Sequence, residues 1–224
     1  MPNPWTKEKA LGLFRQIGVV PVVRVATSEE AFCAVEGIMT AGIATVEITM
    51  TIPNALRIME SVANRCGDKI LLGAGTILDA ATCRAALLAG AEFIVSPVFD
   101  PRVVEMTRRY SKISIPGTLT PTEVLTAWQA GADLVKIFHC GLAGGPKYLR
   151  ALKGPFPQIE YLPTGGIQLE TAPEYIRAGA TAVGVGEGIL DAAALRSGNI
   201  ERIAANGRKY VEAVRAAKMV MGDS

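Results

Sequence analysis

Four times along this chain an alanine–glycine pair stands between an amphipathic stretch and a short apolar run: Ala41-Gly42, Ala89-Gly90, Ala130-Gly131 and Ala178-Gly179. Glycine reaches the left-handed backbone conformation that closes a helix because it has no Cβ to clash there. A helix ending that recurs, each time before an apolar run, constrains the chain to a repeated βα unit. The apolar runs span 19–25, 45–50, 70–77, 93–98, 113–119, 135–140, 161–164 and 182–185. Their Val and Ile content and near-continuous hydrophobicity suit parallel strands covered on both faces. Helix starts are marked as well. Ser28 before Glu29 and Glu30 reads as an N-cap. Thr120-Pro-Thr-Glu123 has capping-box spacing, with Pro121 at the first helical position. Gly145-Pro146 leads into a helix over 147–153, and further helices are expected over 6–18 and 199–219. Eight strands alternating with helices, without a linker-like segment, predict one domain over 1–224. The expected architecture is a single (β/α)8 TIM barrel whose N-terminal helix caps its bottom. A doubly wound open sheet is the alternative, because a strand count does not establish closure.

The chain has 224 residues, 50% of them hydrophobic and 20% charged, which suffices for one well-buried core. A net charge of +2 with scattered basic residues argues for neither a nucleic-acid nor a membrane partner. No apolar run approaches the length of a membrane span, and residues 1–7 lack the apolar core of a secretory signal. The expected location is cytoplasmic. Cys33, Cys66, Cys83 and Cys140 form no C-x-x-C pair, and His139 is the only histidine. Free thiols are therefore expected, with neither a disulfide framework nor a metal site.

Lys136 lies inside Asp133-Leu-Val-Lys-Ile-Phe-His-Cys140, a run that reads as a buried strand. A lysine rarely sits there without a partner or a task. Burial disfavours the ammonium, and a neutral amine attacks ketones to form Schiff bases. The bland alternative is a strand-end lysine that reaches water or pairs with Glu47.

Active sites of such barrels form at the C-terminal ends of the strands. The polar residues collected there are Arg24, Glu47 and Thr49, Thr76, Ser96-Pro97, Thr118, Lys136 with Phe138 and His139, and Thr164. In this set Lys136 is the candidate nucleophile and Glu47 the candidate proton carrier. Arg24 offers a fork that matches a carboxylate, and Thr76 a second donor to it. A structural ion pair of Glu47 with Arg24 is the competing reading. Gly165 and Gly166, with Gly184, Gly186 and Gly188, let backbone N–H groups approach an anion, in the loops where barrels often hold phosphate. Glu187 within the second cluster counts against a phosphate there.

Taken in order, Val46-Glu-Ile-Thr49, Gly73-Ala-Gly-Thr76, Ser96-Pro97, Lys136-Ile-Phe138, Lys153-Gly-Pro-Phe156 and Pro163-Thr-Gly-Gly-Ile167 resemble the class I KDPG/KHG aldolases over roughly 19–190. That resemblance implies cleavage of 2-keto-3-deoxy-6-phosphogluconate, and of 4-hydroxy-2-oxoglutarate, to pyruvate and an aldehyde. It implies a covalent imine on Lys136 with no cofactor, Glu47 as general acid/base, and Thr76 and Pro97 lining the pyruvate pocket. It implies a homotrimer of barrels. Thr49, Phe138 and Thr164 are taken as further substrate contacts, and Gly165, Gly166, Gly186 and Gly188 as the phosphate turns. Three positions depart from the family pattern. Thr51 stands where many members have the carboxylate-binding arginine, with Arg24 as its replacement. His139 stands where most have proline, and Glu187 where small residues or serine are usual. The last two bear on the aldehyde end of the substrate. Open alternatives are an aldolase for an unphosphorylated or galactonate-type 2-keto-3-deoxy acid, another phosphate-binding barrel enzyme, and an inactive sugar-phosphate-binding barrel.

Overall fold

The computed structural model describes residues 5–222, so the first four residues of the stretch read for a signal peptide lie outside it. Parallel strands β1 (Val19–Val23), β2 (Thr45–Thr49), β3 (Leu71–Gly75), β4 (Phe93–Val95), β5 (Ile113–Ile115) and β9 (Val183–Val185) form a six-stranded sheet of order β5-β4-β3-β2-β1-β9. A three-stranded parallel sheet holds β6 (Gly117–Thr118), β7 (Val135–Ile137) and β8 (Tyr161–Pro163). The larger sheet curls as a half-barrel.

The strands are shorter than the apolar runs. The run 135–140 is a strand only to Ile137, and 19–25 only to Val23. The run 113–119 divides at Pro116, which has no N–H for a ladder. Its carbonyl still accepts from Lys136 N–H at 2.9 Å.

The repeated helix endings have one physical basis. Gly42, Gly90, Gly131 and Gly179 take φ values of 79°, 101°, 92° and 100°. In each case the next residue's N–H reaches back five residues, as from Ile43 to the Ile38 carbonyl at 3.2 Å and from Ala180 to that of Tyr175 at 3.1 Å. This is the closure that satisfies carbonyls left over at a helix end. Thr120 and Glu123 form the expected capping box at the start of the helix Pro121–Gln129. The cap of the helix Ser28–Thr40 is not Ser28 but Thr27. Thr27 is extended, and its hydroxyl accepts from Glu30 N–H at 3.2 Å, so Ser28 is already the first helical residue. The helix after β7 likewise starts two residues before 147, at Gly145.

Alternation along the strands separates two apolar layers. Val46, Ile48, Leu72, Ala74, Val135 and Ile137 pack outward with the helices. Leu71, Phe93, Leu134 and Leu162 turn the other way and meet Ala10 and Phe14 of α1 (Lys7–Ile17). Phe14 stands edge-on to Phe93, with ring centroids 5.1 Å apart. Residues of both sheets thus share one inner cluster, which α1 closes at the N-terminal ends of the strands. Among the described residues no helix is long and apolar enough to cross a membrane. The four cysteines are free thiols.

Candidate active site

Period two along the strands decides where the two chemically active side chains point. Val135 and Ile137 belong to the outer layer and Leu134 to the inner one, so Lys136 faces inward, one step nearer the strand ends than Leu134. By the same argument Glu47, between outward-packed Val46 and Ile48, faces inward. Lys136 is 5% exposed and Glu47 1%. Among the described residues neither forms a salt bridge or a side-chain hydrogen bond, and Glu47 Oε2 is sealed without a partner. The pairing of Lys136 with Glu47, and that of Glu47 with Arg24, weighed from the sequence, are therefore both absent there. Burying unpaired ionisable groups is costly, and such groups cluster at sites that use them.

The surroundings of these two groups are specific. Lys136 Nζ lies 5.1 Å from the centroid of the half-buried Phe138 ring. Its own carbonyl accepts from Thr118 Oγ1 at 3.1 Å, which ties β7 to β6. The Glu47 carboxylate lies directly over Gly75, where a Cβ would come within 2.6 Å of Glu47 Cδ. The glycine thus makes the room that the carboxylate occupies. Next in the chain, Thr76 has φ 59°. That conformation is strained for a β-branched residue, and strain of about 1–3 kcal/mol is characteristic of sites that need it.

Other residues expected at the site fall into groups. Arg24 is exposed just beyond β1, two residues past Val22, the register partner of Glu47. It makes no ion pair among the described residues. Pro97 is half-buried, and its backbone packs against Gly117. Thr49 is fully buried; its hydroxyl donates to the Val23 carbonyl at 3.0 Å and lies 2.8 Å from Thr51 Oγ1. That hydroxyl holds β2 to β1, a structural role that its sequence position did not suggest. Thr164 is buried, bridges to Gly184, and crowds the place of a Gly184 Cβ.

The glycine turns differ among themselves. Gly165 and Gly166 have φ 93° and 73° and lie against the His139 ring. A Cβ on Gly186 would meet only the Val22 carbonyl, at 3.7 Å, so space is open there. Gly188 is instead required by packing, because a Cβ would run into the Tyr210 hydroxyl group of the last helix, Ile200–Gly222. Glu187 is exposed between them. Asp191 follows as the cap of a short helix, accepting from Ala194 N–H at 2.8 Å and pairing with Arg202. Cys140, beside His139, is fully buried, and burial pushes its thiol up to about 11. It therefore stays protonated near neutral pH and is no competitor to Lys136 as nucleophile.

From the sequence His139 reads as a hydrogen-bonded strand-end residue rather than a catalytic one, yet its ring is half-buried with Nδ1 sealed and, among the described residues, unpartnered. Its contact with Gly165 and Gly166 depends on two chain segments meeting, so no local signal marks it.

An inward lysine and an inward carboxylate in an otherwise apolar interior can form and protonate an imine. Comparison with known proteins points to the same chemistry. The family model described as KDPG and KHG aldolase matches residues 12–206. The 2-dehydro-3-deoxy-phosphogluconate aldolase of Treponema pallidum (strain Nichols) is 32% identical over 199 residues, covering 89% of this chain and 94% of that protein. The 2-dehydro-3-deoxy-6-phosphogalactonate aldolase of Escherichia coli (strain K12) is 32% identical over 203 residues, covering 90% and 97%. Among solved structures, a KDPG aldolase from Legionella pneumophila, with pyruvate captured as a covalent carbinolamine intermediate, superimposes with a TM-score of 0.82 at 29% identity. It covers 88% of this chain and 96% of that one. A chain of a protein cage designed by fusing symmetric oligomeric domains has a TM-score of 0.84 at 30% identity, covering 93% and 76%. With the family model spanning most of its length and a buried lysine and glutamate facing the inside of its fold, this chain belongs to the KDPG and KHG aldolase family.

Proposed function

We propose that this chain is a class I aldolase that cleaves a 2-keto-3-deoxy sugar acid to pyruvate and an aldehyde. The substrate put first is 2-keto-3-deoxy-6-phosphogluconate, with 4-hydroxy-2-oxoglutarate second. The observation that carries the reading is the inward pair of Lys136 and Glu47, both buried and neither neutralised by the other. In the neutral form Lys136 Nζ adds to the C2 ketone to give a carbinolamine. Glu47 protonates the departing hydroxyl, water leaves, and an iminium remains. The C4 hydroxyl then gives its proton to the Glu47 carboxylate, the C3–C4 bond breaks, and its electron pair flows into the iminium. The aldehyde departs, leaving the enamine of pyruvate. Glu47 returns the proton to C3, and addition of water to the regenerated iminium releases pyruvate and the free lysine. The iminium is the electron sink, so the cycle as written calls on no dissociable cofactor.

Arg24 grips the substrate carboxylate in this reading, with Thr76 as a second donor. Pro97 and Phe138 line the keto-acid pocket, and Thr49 and Thr164 hold its walls. Gly165, Gly166 and Gly186 meet the distal end, and Gly188 shapes that turn through its packing on Tyr210. A second reading is an unphosphorylated or galactonate-type acid; its unphosphorylated form is favoured by Glu187, an exposed carboxylate in the glycine turn after β9. The galactonate-type form is supported by the similarity to the 2-dehydro-3-deoxy-6-phosphogalactonate aldolase, a relative named for a phosphorylated substrate.

We also infer that residues 1–224 form a single closed (β/α)8 barrel. Support comes from the Thr164–Gly184 bridge between the ends of β8 and β9. The Asp133 N–H donating to the Ser114 carbonyl at 2.9 Å supports it at the other seam. A homotrimer is the proposed assembly, supported by the likeness to a chain used in a cage of symmetric oligomeric domains. The proposed location is the cytoplasm.

The test is borohydride trapping with pyruvate. One adduct per chain, found on Lys136 by peptide mass spectrometry, is expected, and a labelled Lys136→Ala protein sinks the assignment. Glu47→Gln should keep the fold but lose about 100- to 10,000-fold in turnover, the usual contribution of a general acid–base group.

A further inference from the structure

His139 has no assigned task, and its surroundings give it one. The residue follows Phe138 just past β7, at the strand end that carries Lys136. Backbone pairing holds it in place: the Cys140 N–H donates to the Thr164 carbonyl and the Gly141 N–H to that of Gly165, both at 3.0 Å. The imidazole therefore lies against the turn that follows β8. A Cβ on Gly165 would come within 2.5 Å of His139 Cδ2, and one on Gly166 within 3.3 Å of Cε1. On its other side the ring is tilted 48° to Phe138, with centroids 5.4 Å apart. Phe138 in turn is the ring beneath Lys136 Nζ.

Among the described residues neither ring nitrogen has a hydrogen-bond partner. Nδ1 is sealed, whereas Nε2 is not among the buried unpartnered atoms of this half-buried side chain, so Nε2 is the nitrogen that solvent reaches. Orphaned buried N–H groups are rarer than orphaned acceptors. With Nδ1 sealed, Nε2 is the ring nitrogen placed to donate to a ligand. Nε2, open to solvent on a ring held against the glycine turn and without a protein partner among the described residues, is free to meet a ligand.

We propose that His139 is a specificity-determining residue. It donates from Nε2 to an oxygen on the aldehyde-derived half of the keto acid, beside the Gly165–Gly166 turn. The inference rests on the aldolase reading above and names what reads the distal half. The acceptor is either a hydroxyl of the sugar-acid chain or a phosphate oxygen; both offer lone pairs to an N–H.

The experiment separates the two halves of the reaction. Exchange of the pyruvate C3 protons with deuterated water needs the imine but no aldehyde half. Cleavage of a 2-keto-3-deoxy acid needs both. His139→Phe keeps a ring against the glycine turn and removes both nitrogens. His139→Gln returns a donor on a different frame. In His139→Phe, pyruvate exchange should stay within about twofold of wild type while kcat/KM for cleavage falls on the order of 10-fold, the worth of one hydrogen bond. His139→Gln should recover part of that loss. An equal fall on phosphorylated and unphosphorylated substrates assigns the acceptor to a hydroxyl. A fall confined to the phosphorylated one assigns it to the phosphate. Unchanged cleavage in His139→Phe overturns the proposal. So does a parallel loss of exchange and cleavage, which makes the ring a packing element. Absence of exchange in the wild-type protein strikes the aldolase reading instead.

Discussion

Gly75→Ala tests the geometry of the proposed proton carrier without altering any ionisable group. An alanine methyl at this position would stand 2.6 Å from Glu47 Cδ and 2.7 Å from Cγ. Ordinary carbon–carbon contact begins near 3.5 Å, so the carboxylate must retreat by about 1 Å. The moving atoms are the far end of a flexible side chain, and the backbone at Gly75 is regular strand. The stability cost should therefore sit near the low end of overpacking, about 1 kcal/mol. Activity should not be spared, because a misplacement of about 1 Å at a reacting group costs on the order of 100-fold. Gly73→Ala is the matched control. Its methyl would meet the Phe93 ring, within 2.5 Å of Cδ2, and that ring is locked in the inner cluster against Phe14. There the cost should appear as lost stability, roughly 1–3 kcal/mol, with less effect on turnover. The assay pairs single-turnover cleavage with urea denaturation of both variants. A Gly75→Ala enzyme within about threefold of wild type, small beside the expected factor, would refute the placement of Glu47 as the group that moves the proton.

Arg24→Lys keeps a positive charge but loses the planar fork; KM for every keto-acid substrate should rise together with the phosphorylated-to-unphosphorylated ratio unchanged, and unaltered KM values count against the carboxylate clamp. Phe14→Ala removes a side chain that is 1% exposed. It should cost about 3–5 kcal/mol in denaturant melts, with turnover of the folded fraction retained because α1 lies at the opposite end from Lys136. A cost under about 1 kcal/mol would deny α1 its role as the plug. Burial lifts the Cys140 thiol from its ordinary 9.0 to about 11, so the stability it lends is complete below pH 9 and is lost as the pH rises through 11. Between pH 8 and 10 the wild type should therefore lose about 1.4 kcal/mol more than Cys140→Ala. Equal losses in calorimetry would contradict the shift.

Local chemistry made much of this molecule legible in the sequence. The four Ala-Gly helix endings, the Thr120–Glu123 box and the alternation of apolar runs with amphipathic stretches each depend on residues a few positions apart. Lys136 stood out because a charged residue within an apolar run is costly wherever that run is buried. What the sequence could not supply is contact between distant segments. Thr49 read as a substrate contact, yet its hydroxyl is held by Val23 of the neighbouring strand. Gly188 read as part of an anion turn, yet the Tyr210 side chain explains it. Gly75 read only as part of a strand and of a family motif, yet it is the space in which the Glu47 carboxylate lies. His139 and the Gly165–Gly166 turn meet only because β7 and β8 are neighbours in one sheet. Hydrophobic periodicity sets which face of a strand is buried. The identity of the atoms opposite that face is set by register and sheet order, which arise from the packing of the whole chain.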